Sequence, residues 1–151
     1  MTKSSEEKRE NGVFQTLAYY SSVFYRDFVA YTAKKLQSMG LHYGLLFFVV
    51  YIGKHPGASP SEMTSALRVD WGHSQRSITR LVGDGFMTKE KQGRSYVLNL
   101  TPKGQRAFEL SHQVFVDWDA QRLSGLTQAE RETLMELLGR IALRQDAGQN
   151  G

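Results

Sequence analysis

Ser59 to Thr101 reads SPSEMTSALRVDWGHSQRSITRLVGDGFMTKEKQGRSYVLNLT. Ser59-Pro60-Ser61-Glu62 has the pattern of a capping box, with Pro60 suited to a first helical turn. The helix it opens is predicted to run to about Leu67, with Met63, Ala66 and Leu67 facing inward. A tight turn, Leu67-Arg68-Val69-Asp70-Trp71-Gly72, follows. Asp70 is placed to cap a second helix lasting to about Gly83. The inward edge of that helix is expected to be Trp71, Ile78, Leu81 and Val82. Its outer face is expected to carry His73, Ser74, Gln75, Arg76, Thr79 and Arg80. Gly85 stops it, and Phe86–Lys91 and Ser95–Leu100 read as two strands turning at Gln92-Gly93. Helix, turn, helix and basic hairpin, with amides, hydroxyls and guanidiniums along one helical edge, suit a DNA major groove.

The charge map agrees. The chain of 151 residues has a net charge of +4. Lys54 to Arg106 holds nine basic and four acidic residues, a local charge of +5 that leaves −1 for the rest. The whole surplus lies on the proposed reading segment, which favours a polyanionic partner. There are no cysteines, so disulfides and thiolate metal sites are excluded. No apolar run has the length of a membrane span and the start is charged rather than signal-like, so no membrane is involved and a cytoplasmic location is expected.

Outward from this core, 1–12 is expected to be a disordered polar tail and 146–151 a second tail. Leu17, Tyr20, Phe24, Phe28, Tyr31 and Leu36 recur at helical steps between Val13 and Gln37, and Gly40 fits a left-handed cap. Leu45 to Ile52 is apolar on every side. A strand competes for it, but a buried helix from His42 or Tyr43 to about His55 fits its length better. Thr101-Pro102 opens a helix lasting to about Arg122, with Ala107, Leu110, Val114 and Trp118 inside. Thr127-Gln128-Ala129-Glu130 is another capping box, and Leu134, Leu137, Leu138 and Ile141 follow at helical spacing.

The order of elements, with Leu67-x-Val69-Asp70, Arg76, Leu81-Val82-x-x-Gly85-Phe86 and Leu100-Thr101-Pro102-Lys103-Gly104, resembles the MarR family of bacterial winged-helix transcription regulators. The likeness runs from about Val13 to Ala142. It implies a mainly α fold with a small β-hairpin wing, a winged helix-turn-helix dimerising through its N- and C-terminal helices. On that basis 13–145 is one domain, with 13–40 and 103–145 as dimerisation helices and 43–101 as the DNA-binding module. The resemblance also implies a homodimer on near-palindromic double-stranded DNA, acting as a ligand-responsive repressor, since many members release DNA when a small aromatic or phenolic ligand binds. The family's Asp-x-Arg at the wing appears here as Gln92-Gly93-Arg94, so Arg94 lacks the acid that would orient it.

Roles are then assigned residue by residue. Arg76 suits guanine O6 and N7 and Gln75 suits adenine N6 and N7; Ser74 and Thr79 suit a thymine methyl or a phosphate. Arg68 and Arg80 are expected on phosphates, and His73 neutral and hydrogen-bonded to DNA or water. Lys89, Lys91 and Arg94 are the wing's candidate contacts. The aromatic residues of the first two helices read mainly as core and dimer seam. A second reading is a pocket lined by Tyr20, Tyr43 and Phe47 that takes a small aromatic or phenolic effector. No histidine pair has metal-ligand spacing, and neither a cofactor nor an enzyme's catalytic pairing is expected. The rival reading is a winged-helix protein–protein interaction module without specific DNA binding.

Overall fold

In the computed structural model, the structure describes Gly12 and residues 14–144. The two tails expected at 1–12 and 146–151 fall, Gly12 apart, outside the described residues. Among the described residues six α-helices and one hairpin follow one another: α1 Leu17–Leu36, α2 Leu46–Lys54, α3 Pro60–Leu67, α4 Trp71–Gly83, β1 Met87–Gln92, β2 Ser95–Leu100, α5 Pro102–Arg122 and α6 Gln128–Ala142. The described residues form two compact units that part between Phe115 and Val116, within α5.

The first unit is built around the apolar run at Leu45 to Ile52. It is a helix, entered through a 3-10 turn at Tyr43–Leu45. His42 caps that turn: its Nδ1 accepts from the Gly44 amide at 3.1 Å. Leu46, Phe48, Val49 and Ile52 are fully or almost fully buried, with Leu36, Met63, Ile78, Leu81, Phe86, Met87 and Leu98 around them. An apolar helix needs cover on most of its circumference; α3 and the hairpin pack against it, while Phe47 stays exposed.

Local chemistry sets the boundaries. Thr16 caps α1 by accepting from the Tyr19 amide at 3.1 Å, and Gly40 (φ 66°) closes the 3-10 turn after it. Ser59 accepts from the Glu62 amide at 3.1 Å, with Pro60 as the first residue of α3. Asp70 accepts from the His73 amide at 2.8 Å and so starts α4. The turn between α3 and α4 depends on Arg68 at φ 56°, the one non-glycine with positive φ among the described residues.

The hairpin is antiparallel, registered Met87↔Leu100 through Gln92↔Ser95. Its loop is therefore Gly93-Arg94, one residue later than the expected Gln92-Gly93, with Gly93 at φ 64°. Ala58 pairs with Leu98 beside it, tying the loop before α3 to the sheet.

Leu100-Thr101-Pro102-Lys103-Gly104 is a clasp between α4, the wing and α5. The Thr101 hydroxyl donates to the Gly85 carbonyl oxygen and also accepts from the Gly104 amide at 3.0 Å. Lys103 donates to the Asp84 carbonyl at 2.8 Å and covers the Phe86 ring, its Nζ 4.3 Å from the centroid. At Gly104 a Cβ would lie 1.9 Å from the Phe86 carbonyl oxygen, so only glycine allows this approach.

In the second unit, Thr127 and Glu130 form both bonds of a capping box, at 3.2 and 2.9 Å. The hydrogen bond from the Thr127 amide holds the Glu130 carboxyl below its ordinary value of 4.5. Arg131 reaches back to the Leu123 carbonyl at 3.1 Å. Leu137, Leu138 and Ile141, placed at helical spacing by the sequence, are exposed. Among the described residues no single helix is long and apolar enough to cross a membrane.

Candidate nucleic-acid interface

The surface of α4 follows from which of its rows is buried. Ser74, Ser77, Ile78 and Leu81 lie at i, i+3, i+4 and i+7, and these four are the buried ones. The opposite face bears Arg76, Thr79 and Arg80, all exposed. His73 is exposed at one margin, its ring edge-on to Phe48 at 5.8 Å. Arg80 reaches its own helix's Asp84 at 3.8 Å, an exposed pair of little energetic weight. Arg68 is exposed at the turn before the helix.

Three expectations for this helix need correction. Ser74 does not face outward: it is 0% exposed, and its hydroxyl is 2.6 Å from that of Thr64 on α3. A serine is small enough to let α3 and α4 approach, and its hydroxyl finds a partner there. It is therefore removed from the candidate DNA contacts. Trp71 and Val82 do not face inward: they are 54% and 38% exposed. Gln75 is only half-buried, yet its Nε2 is covered and has no hydrogen-bond partner among the described residues. On α3, Ala66 is likewise exposed rather than inward.

The wing presents Lys89, Lys91 and Arg94 to solvent, with Arg94 in the two-residue loop. Lys89 lies over the Tyr96 ring, 4.6 Å from its centroid. That contact holds the ammonium against the hairpin while leaving it exposed.

A cavity of about 670 Å³ opens beside the helix. Tyr25 and Phe28 of α1, His42 to Leu45 and Phe47 form one side of it; His73, Arg76, Ser77 and Arg80 of α4 form the other. Tyr43 and Phe47 thus line it as expected. Tyr20 does not, and its ring is tilted against Tyr19 at 6.0 Å instead. Tyr25 takes that place, its hydroxyl 3.2 Å from that of Tyr43. This neighbouring hydroxyl raises the Tyr25 phenol above its ordinary value of 10.0. The signal for Tyr25 was its i, i+3 spacing to Phe28, since five residues separate it from Tyr20 and turn it to another face. The arginines are common to both surfaces: Arg76 and Arg80 belong to the outward edge of α4 and to the cavity wall.

No family model matches the chain. The HTH-type transcriptional regulator BilQ of Clostridium symbiosum (strain WAL-14163) is 41% identical over 136 residues, covering 88% of this chain and 94% of that protein. The transcriptional regulator SlyA has the same fold, with a TM-score of 0.80 at 18% identity over 85% of this chain and 93% of the other. A MarR family regulator from Listeria monocytogenes, complexed with a 26mer DNA, superposes at a TM-score of 0.78 and 21% identity, covering 85% and 88% of the two chains. Helix-turn-helix, wing and the clasp after it, together with this relationship, place the chain in the MarR family of winged helix-turn-helix transcriptional regulators.

Proposed function

We propose that this regulator binds double-stranded DNA as a homodimer on a near-palindromic operator, and that a small aromatic or phenolic effector releases it. The observation that carries the reading is the outward guanidinium and hydroxyl edge of α4, within the chain's basic segment. Arg76 reads a guanine, and Gln75 reads an adenine once its carboxamide turns outward. Thr79 meets a thymine methyl or phosphate, and His73 hydrogen-bonds to DNA or water. Arg68 and Arg80 take phosphates, while Lys89, Lys91 and Arg94 contact the neighbouring groove. The regulator solved with a 26mer DNA supports DNA as the partner.

Residues 43–101 act as the reading module, and 13–40 and 103–145 dimerise within the one domain 13–145. Exposed Leu17, Tyr20 and Phe24 on α1, and Leu137, Leu138 and Ile141 on α6, support a twofold apolar seam. The two copies of α4 then lie roughly 34 Å apart, one duplex turn. An effector in the cavity beside α4 engages Arg76 and Arg80, so its binding energy opposes that of DNA. No catalysis is assigned, and the protein acts in the cytoplasm.

Fluorescence anisotropy of a labelled promoter duplex, titrated across salt, tests the reading. Binding weakens by about 10³-fold or more between about 50 and 200 mM salt if six or more phosphates are neutralised. Salt-independent binding, or equal affinity for unrelated duplexes, would leave only the protein-docking alternative.

A further inference from the structure

Trp71 is the first residue of α4 and is 54% exposed. Indoles in a soluble protein are usually largely covered, so this one leaves a large apolar face in water. The helix does not need it there, since Asp70 already supplies the cap. Trp71, Gln75 and Thr79 form one i, i+4 row, and Trp71 begins it at the N-terminal end of the helix. In a helix-turn-helix that end reaches the base edges. Gly72, next in the chain, has no side chain, so the first turn can approach a duplex closely with the indole as its tallest group.

A flat apolar face cannot read donors and acceptors. The one apolar feature on a major-groove edge is the C5 methyl of thymine. We propose that Trp71 is a specificity-determining residue that packs on a thymine methyl in the operator, next to the polar readers. The proposal rests on the DNA-binding reading above, which supplies the duplex.

The test removes the methyl without touching any hydrogen bond. An operator is selected from a randomised duplex pool with the wild-type protein, and each thymine is replaced singly by deoxyuridine. At one thymine per half-site the replacement weakens wild-type binding about fourfold, the equivalent of one buried carbon at about 0.8 kcal/mol. Trp71→Ala weakens binding to the thymine duplex and is indifferent to that replacement. Trp71→Phe keeps the methyl sensitivity and shows that the helix is intact. Equal deoxyuridine losses in wild type and Trp71→Ala overturn the proposal, as does a wild type insensitive at every thymine. A wild type that selects no motif at all removes the DNA reading itself, an outcome distinct from a sharp motif without methyl sensitivity.

Discussion

Two serines on α4 show how far a side chain's class can mislead about its place. Ser74 and Ser77 are polar, yet both lie on the buried row with Ile78 and Leu81. Ser77 donates to the His73 carbonyl at 2.9 Å, while Ser74 meets Thr64. Hydroxyls satisfied in this way hold two helices close without an apolar side chain between them. Ser74→Ala is therefore expected to lower stability by about 1 kcal/mol in urea denaturation, and to leave the DNA sequence preference unchanged. A changed preference with unchanged stability would return Ser74 to the reading surface. The outward residues Arg76, Thr79 and Arg80 were legible in the sequence because guanidinium groups and hydroxyls repeat at helical spacing on the face away from Ile78 and Leu81. Trp71 and Val82 were not, because hydrophobicity alone put them inside, whereas at a helix end burial depends on what the neighbouring segment covers. Tyr20 failed as a cavity residue for a related reason: aromatic density marks a helix as apolar but does not say which of its faces borders a space.

At the scale of elements, caps carried most of the legible information. Thr127 with Glu130, Ser59, Asp70 and Gly40 all act as their types and spacing suggest. The apolar run of α2 resolved as a helix in which Leu46, Phe48, Val49 and Ile52 are buried, while Phe47 is left exposed along the cavity. The clasp at Thr101 to Gly104 was visible only as a string of matching residues, since its meaning is a tertiary approach of backbones. Gly104→Ala measures that approach directly. Its Cβ has no room beside the Phe86 carbonyl, so the change is expected to cost about 3 kcal/mol of stability and to loosen the wing. Thermal denaturation and amide exchange at β1 and β2 check this; an unaltered melting temperature would show that the clasp yields without cost. Because Lys103 is engaged with Asp84 and Phe86, its positive charge belongs to the clasp as well as to the basic surface.

At the scale of the whole molecule, the exposed edge of α4 and the cavity share residues. The basic surplus lies between Lys54 and Arg106, and within it Arg76 and Arg80 border both the outward edge of α4 and the 670 Å³ cavity. Under the proposed function, an effector and DNA would engage the same guanidinium groups, so occupancy of one site would change the availability of the other. A pocket bordered by Tyr43 and Phe47 was expected, but its wall of Arg76 and Arg80 could not be read from spacing, because that wall depends on where α1 and the turn at His42 lie against α4. The homodimer was an expectation of the family resemblance; Leu17, Phe24, Leu138 and Ile141 are exposed and form the apolar surface that the proposed seam would cover. The central claim is that a pair of α4 helices reads sequence through Arg76. Selection of duplexes from a random pool, with wild type and Arg76→Ala side by side, addresses it most directly. The wild type is expected to enrich two inverted half-sites about one helical turn apart, and Arg76→Ala to lose preference at one symmetric pair of positions, with a cost of about 1–3 kcal/mol. An unpaired motif, or a motif equally sharp in both proteins, would contradict it.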